Sequence, residues 1–472
     1  MSQFFSKLLA PESNGGFAAN ERVATAADTT NEQVIGTPST MGGRRIGRTA
    51  AAIAVLVVLS SAPYIELPRL LVEPLSASSW TYLYPYWGVA LVSCVAVSRL
   101  IDRKDVSNGM RPRLVLLGAL AVIIVLSPIW ADRAFSLPLD SLLVALMLFA
   151  GVWFGLALDA RQWAISIFVS SQVLVLASLL EIWLRPRYGI SPYGDWMGVF
   201  GNRNTLAPIA GLGVLGAFGL WAAYRGKVFA ILGVAASLLD LYVLRKSGNA
   251  TTWLSLVAAF GLLAAVTVLA MLARSDGSVP RFGPRVKATA WACMIAAEVV
   301  GLVAIAFNAN RSSSFDDRRH LWSYLWHLSG NHRWIGYGFG SFWRDDAKVG
   351  PISTPDFRWD AAHNSFVEIY VGMGLLGLAV AICLLAMGAR YLFLNLHNER
   401  SLAAVFPAMI FAFLFMENLS ESMILYNSSI WILLIAVAFT DGSRPVGGRG
   451  HTPHSEQTRW PSTFEMQRQP FG

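Results

Sequence analysis

Arg358-Trp-Asp-Ala-Ala-His363-Asn364-Ser-Phe-Val-Glu368-Ile-Tyr-Val-Gly-Met-Gly-Leu-Leu-Gly377 is the stretch on which the reading of this chain turns. Its first residues end a polar segment that starts near Asn308 and is rich in Arg, Asp and Trp; from Asn364 onward it opens an apolar helix. Almost everything else in the chain is apolar, so Ala362, His363 and Asn364 mark where a loop re-enters a membrane. Polar loops this long are usually functional or disordered. Five tryptophans, at positions 322, 326, 334, 343 and 359, make the 308–363 loop read as folded.

Working outward, 472 residues that are 55% hydrophobic and 14% charged place the chain in the polytopic membrane class. The net charge of +8 could suggest nucleic acid, but the basic residues sit in short turns between apolar runs. That placement follows the positive-inside rule and argues against a nucleic-acid partner. Cys94, Cys293 and Cys383 lie within apolar segments without metal-ligand or CxxC spacing, so they read as packing residues.

A helix needs roughly 20 apolar residues to cross a bilayer. On that basis the chain is expected to be all-α with about twelve spans, at 49–65, 80–98, 113–131, 137–158, 162–184, 204–223, 228–244, 250–272, 288–307, 364–389, 401–417 and 423–440. Residues 1–43 and 441–472 read as disordered cytoplasmic tails around a membrane domain at 44–440. Arg44, Arg45 and Arg48 hold the first tail inside, and the turns near 99–113, 225–227, 273–287 and 390–400 are basic as the rule requires. The 308–363 loop, between the ninth and tenth spans, then lies outside.

His363 stands where the loop meets the helix, with Asn364 beside it and Glu368 about one turn further on. A histidine there can take a proton from a hydroxyl, or it can be a helix cap. Two smaller polar features fall on the same side: Gly201-Asn202-Arg203-Asn204-Thr205 and Arg245-Lys246-Ser247-Gly248-Asn249. Each reads as a helix cap or as cations and amides for an anionic ligand. The loop arginines, Arg318 and Arg319 among them, face the same choice between salt bridges to loop aspartates and contacts to phosphate. Leu321, Trp322, Leu325 and Trp326 have the spacing of an amphipathic helix, and the tryptophans are expected mostly to be interfacial anchors. Gly372-Met-Gly374-Leu-Leu-Gly377 fits GxGxxG but lies in an apolar span, so it reads as close helix packing rather than a dinucleotide site. Glu181, Asp240, Glu298, Glu368 and Glu417 interrupt the apolar runs without forming an evident midplane relay, which counts against a transporter.

Taken in order, Gly201-Asn-Arg-Asn-Thr-Leu-Ala207, Asp317-Arg-Arg-His-Leu-Trp322, Ile335-Gly-Tyr-Gly-Phe-Gly-Ser-Phe342, His363-Asn-Ser-Phe-Val-Glu368 and Gly372-Met-Gly-Leu-Leu-Gly377 resemble the O-antigen ligase and polymerase superfamily. The likeness covers about 195–440, and its C-terminal half is most similar to the exopolysaccharide-polymerase branch. It implies a glycosyltransferase of the bacterial inner membrane, working on its periplasmic face on glycans carried by undecaprenyl pyrophosphate. By that resemblance His363 activates the acceptor hydroxyl, Arg318 is the catalytic loop arginine and Arg203 contacts phosphate. Asn202, Asn204, Arg319, Asn364 and Glu368 join them as candidate substrate contacts. Family members often carry Ser-Arg-Gly or Ser-Lys after the corresponding span, whereas here Arg245 and Lys246 precede Ser247, so which cation fills that role stays open.

The resemblance implies polymerisation of lipid-linked repeat units, with transfer of a finished glycan to a lipid or protein acceptor as the alternative and a lipid-linked oligosaccharide transporter as the rival of another class. The expected partners are the lipid-linked donor, the glycan acceptor, membrane lipids and a chain-length regulator. No cofactor is expected, because the donor carries its own activation and fixed cations can stabilise the departing pyrophosphate. Asp316-Asp317 and Asp345-Asp346 keep a metal open.

Overall fold

The computed structural model describes residues 38–61, 92–93, 96–97, 110–131, 137–224, 226–272, 313–353, 359–398, 402–422 and 429–440. The expected spans at 80–98, but for those four residues, and at 288–307, the turn at 273–287 and most of both tails lie outside this set.

Eleven helices longer than one turn are described: α1 (Pro38–Ser61), α2 (Arg111–Leu126), α3 (Leu137–Ala157), α4 (Ala160–Leu184), α5 (Arg203–Tyr224), α6 (Lys227–Ser247), α7 (Ala250–Leu272), α8 (Ser313–Leu328), α9 (Ser365–Asn398), α10 (Leu402–Ser420) and α11 (Ser429–Ala438). No strand occurs among the described residues. Six helical segments are long and apolar enough to cross a membrane: Arg111–Trp130, Ala160–Leu184, Arg203–Tyr224, Lys227–Ser247, Ala250–Thr267 and Ser365–Leu392. Shorter apolar helices run over Ile46–Val57, Ser141–Ala157 and Val405–Ser420. Helix α1 starts at Pro38, inside the stretch read as tail, with the proline at a position that needs no N–H partner.

The starts and stops have local causes. Asp159 accepts from Gln162 N while the Gln162 side chain accepts from Asp159 N, a reciprocal cap that opens α4. Gly248, at φ +67°, ends α6 in the left-handed conformation, and Asn249 then caps α7 by accepting from Thr252 N. Helices α4 and α5 pack closely because Gly216 has no side chain: a Cβ there would stand 2.7 Å from the Phe168 backbone. Around this pair, α3 packs on α11, α7 on α10 and α2 on α9. Their apolar side chains form one continuous core that includes Phe154, Trp163, Phe406 and Phe413.

The two ends of the bundle differ. At one end Arg113 donates to Ala438 O at 2.7 Å beneath the Tyr391 ring, Arg48 reaches Ala157 O, and Arg161 lies over Tyr224. At the other end, the starts of α5, α7 and α9 meet the ends of α2, α6 and α10, and the polar loop covers them.

The described part of that loop is folded around its aromatic residues. Leu321 and Leu325 of α8 are buried against Tyr337, Phe342, Trp343, Val349 and Ala362, forming a small core of their own. Three of the five tryptophans turn inward rather than anchoring. Trp322 Nε1 donates to Ala362 O at 2.7 Å, Trp343 donates to Glu368, and Trp359 packs on His363. Trp326 and Trp334, 65% and 63% exposed, remain open to the surroundings.

The glycine-rich span also departs from its expected role. Gly374, at φ +66° and ψ −166°, breaks α9, and loop residues fill the break. Leu375 N donates to Arg333 O at 2.8 Å and Leu376 N to Trp334 O at 3.1 Å, while Tyr337 N and Gly338 N each donate at 2.9 Å to Val371 O and Gly372 O. The glycines therefore admit backbone to a helix break instead of a second helix. Trp130 Nε1, donating to Ile335 O, and Ser127 Oγ, accepting from Phe339 N, clasp the same segment from the short turn that follows α2. The loop is thereby fixed to the spans at the level of the site.

Candidate functional site

Helix α9 must satisfy its first N–H groups, and Asn364 does so: its Oδ1 accepts from Phe366 N and Val367 N at 2.9 and 3.1 Å. Its Nδ2 donates to Leu419 O, and Ser365 Oγ donates to Asn418 Oδ1 and lies 3.0 Å from Glu421 O. These bonds tie the start of α9 to the end of α10. His363, just before the cap, has φ +50°, the one positive φ outside glycine among the described residues. Histidine visits this region more readily than most residues, but the conformation is uncommon and points to a functional constraint.

The residue that assembles the site is Glu421, which sequence reasoning missed. Its Oε2 lies 3.0 Å from His363 Nδ1, and its Oε1 accepts from Arg318 Nη2 at 3.0 Å. Arg318 Nη1 donates to Ser420 O at 2.7 Å. One buried carboxylate thus joins the loop arginine to the junction histidine, two residues 45 positions apart that the sequence could only propose separately. A proton on Nδ1 donates to Glu421 and leaves Nε2 as the basic ring nitrogen. The ring is held further by Trp359, edge to face at 5.5 Å between centroids. A signal for Glu421 exists: Glu417-Asn-Leu-Ser-Glu-Ser422 is a polar run where α10 ends, with two carboxylates one helical turn apart.

Glu368 faces the same corner but is fully engaged by structure. It accepts from Ala362 N at 2.8 Å, from Trp343 Nε1, and from Ser422 Oγ at 3.3 Å. Arg319, next to Arg318, is exposed and ion-pairs with no described residue.

The second polar cluster connects to the first through α7. Ser420 Oγ donates to Thr251 Oγ1 at 2.7 Å, and two residues back Asn249 Nδ2 donates to Asn204 Oδ1 at 3.0 Å. Asn202 accepts from Asn204 N and turns the chain into α5. Arg203 pairs with Asp195, whose carboxylate also lies against Gly248. Lys246 Nζ stands about 6 Å from both the Trp196 and Tyr242 ring centroids, whereas Arg245 is exposed without a described ion-pair partner. All the sequence-proposed residues therefore lie at one end of the bundle, in two linked groups. Among the described residues no three His, Cys, Asp or Glu side chains converge as a metal site would need; Asp345 instead caps a one-turn helix and pairs with Lys348.

A bundle of apolar helices long enough to cross a membrane, carrying at one end a fixed histidine, its carboxylate and arginines, defines a multi-pass membrane protein with a polar, cation-bearing end. Residues 210–382 match the family model described as O-antigen ligase. That segment contains Arg245, Lys246, Arg318, His363 and Glu368. No curated protein matches the chain.

Proposed function

We propose that this protein is a glycosyltransferase that polymerises undecaprenyl-pyrophosphate-linked repeat units into an exopolysaccharide or O-antigen at the outer face of the bacterial inner membrane. The observation that carries this reading is the Arg318–Glu421–His363 chain at the loop end of a bundle matched by the ligase family. The orientation is supported by Arg48, Arg111 and Arg113 at the opposite end, the pattern of a cytoplasmic face.

His363 Nε2 takes the proton from an acceptor-sugar hydroxyl as its oxygen attacks the anomeric carbon. The bond from that carbon to the pyrophosphate oxygen breaks, and the leaving pyrophosphate carries the electron pair away. Glu421 stabilises the imidazolium that forms, a general-base arrangement contributing about 100- to 10,000-fold in comparable sites. Arg319 and Arg245, both exposed and without a described counter-ion, suit the departing charge, and Arg318 fixes the carboxylate. A catalytic Arg318 and substrate contacts at Arg203 and Lys246 require their present partners to yield to the pyrophosphate. Asn364 and Glu368 serve the site by holding the loop junction. A chain-length regulator is a further expected partner.

The ligase alternative uses the same donor chemistry with a lipid or protein acceptor, and the description of the matching family favours keeping it. The test is glycan formation by the purified protein in liposomes containing lipid-linked repeat units, with His363→Ala and Arg318→Ala at matched folding. Chain extension by wild type alone supports the polymerase. Transfer only when a second acceptor is supplied moves the assignment to ligase, and movement across the bilayer without transfer overturns the enzyme.

A further inference from the structure

Glu417 is wholly buried in the last turn of α10, and neither of its carboxylate oxygens has a hydrogen-bond partner among the described residues. Its charged neighbour is Glu421, one helical turn further on, whose own charge is met by Arg318. Asp240, the other buried carboxylate that the reaction leaves unused, accepts from Gln172 Nε2 at 2.7 Å; Glu417 has no such donor. The groups around Glu417 are hydroxyls. Thr252 and Ser255, three residues apart on α7 and both wholly buried, face its carboxylate. The Thr252 methyl is turned to α5, 2.8 Å from the place a Cβ on Gly211 would take, which leaves the hydroxyl to α10. That hydroxyl has no partner either. In the first turn of α7 it has no helical carbonyl one turn back to bond, the use that Ser255 makes of Thr251 O at 3.0 Å and Thr267 of Leu263 O at 2.8 Å. Buried polar atoms are paired as a rule, and here three without partners converge from two helices.

We infer that Glu417, Thr252 and Ser255 hold a monovalent cation, sodium or potassium, between α7 and α10. Charge sets the valence. A lone ionised carboxylate is among the most costly groups to bury; one positive charge neutralises it, whereas a divalent ion would leave a net charge in the apolar core. The donor set agrees, because it consists of oxygen alone and oxygen suits hard cations. Ser255 gives its proton to Thr251 O and keeps its lone pairs for the ion. A proton on Glu417 accounts for less. A neutral carboxyl still needs a partner for its O–H and its C=O, and neither oxygen is in bonding geometry with Thr252 or Ser255. A water could bridge the hydroxyls but would leave the charge in place. A cation uses the carboxylate and both hydroxyls together. It lies about one helical turn below Glu421 and so fixes the charge beneath the contact to His363.

The experiment uses the purified full-length protein in nanodiscs, at one ionic strength, in sodium, potassium or choline chloride. Tm is expected to be about 2–4 °C higher in sodium or potassium than in choline, a cation too large for the site. A radioactive tracer of the more stabilising ion should bind with one-to-one stoichiometry. Glu417→Gln is expected to abolish both the binding and the salt dependence of Tm. Thr252→Val keeps the shape and separates the readings. Deleting a hydroxyl that serves nothing raises Tm, whereas deleting a ligand lowers Tm in the stabilising salt and weakens tracer binding about tenfold. Asp240→Asn is expected to leave tracer binding unchanged, which assigns the ion to Glu417 rather than to the other buried carboxylate. Equal Tm in all three salts without bound tracer overturns the site and leaves Glu417 a neutral buried acid. A higher Tm for Thr252→Val, or binding lost in Asp240→Asn and kept in Glu417→Gln, overturns it as well. Both readouts are taken without glycan, so they judge the ion site separately from the proposed function.

Discussion

His363 Nδ1 lies 3.0 Å from Glu421 Oε2, across 58 positions of sequence and between the last turn of the loop and the end of α10. Because the same carboxylate also holds Arg318, it sets both the ring orientation and the charge around it. Glu421→Gln keeps the shape but removes the charge, and the neutral amide no longer favours an imidazolium. Transfer is expected to fall about 100-fold in kcat with donor KM changed only a few-fold. Steady-state kinetics in liposomes check this; an undiminished kcat would reduce the pair to a brace.

The stability side of that contact separates from its chemistry. Arg318→Ala leaves Glu421, 7% exposed in its side chain, without its guanidinium partner. Breaking a buried ion pair from one side costs about 3–5 kcal/mol. Thermal unfolding in detergent should show a clear drop in Tm for Arg318→Ala and a smaller one for Arg318→Lys, which keeps a charge but not the fork. Equal Tm values for wild type and Arg318→Ala would show that the pair contributes nothing to the fold.

The backbone at His363 offers a cleaner control than alanine. At φ +50°, asparagine is tolerated and a β-branched residue is not. His363→Asn is expected to unfold near the wild-type temperature while losing transfer. His363→Val adds a destabilisation of about 1–2 kcal/mol. Transfer retained by His363→Asn would remove the histidine from the chemistry.

The six long apolar helices were legible because each is an apolar run of membrane-crossing length, and the loop was legible because it is the long polar exception. What the sequence hid are the relationships formed across distance. Glu421 falls between two apolar runs, with nothing local to connect it to His363. Trp322 and Trp343 have the composition of interfacial anchors, but their N–H groups find Ala362 O and Glu368 once the loop folds. Gly372-Met-Gly374 has the pattern of a packing motif, and no local rule says that Arg333 to Gly338 will supply its hydrogen bonds. Arg203 and Arg245 look alike in sequence and are both exposed; only the fold gives the first a carboxylate partner, Asp195.

The break in α9 makes a prediction that contrasts two glycines. A Cβ on Gly374 would overlap the Trp334 backbone and would also sit at φ +66°, so Gly374→Ala is expected to cost at least about 2 kcal/mol and to loosen the loop. Gly261, in α7, has open space where its Cβ would stand. Gly261→Ala should be neutral or stabilising by up to about 1 kcal/mol. Limited proteolysis of the loop together with Tm tests both, and an unchanged loop in Gly374→Ala would mean that the break does not hold it.

Glu368 distinguishes a structural carboxylate from a reacting one. Its oxygens accept from Ala362 N, Trp343 Nε1 and Ser422 Oγ, and two of those partners bring the loop onto α9. Gln keeps acceptor capacity at one oxygen and places an NH₂ where the other accepted, so one of the donors loses its partner. Glu368→Gln is therefore expected to lower Tm by an amount consistent with about 1–3 kcal/mol. Trp343→Phe, which deletes one donor from the opposite side, should shift Tm in the same direction. Once folded, both variants should transfer glycan within about tenfold of wild type, because His363 and Glu421 keep their contact. A double-mutant cycle in Tm measures the coupling. If Glu368→Gln instead abolishes transfer at an unchanged Tm, the carboxylate faces the substrate, and the brace at the start of α9 is made by Asn364 and Ser365 alone.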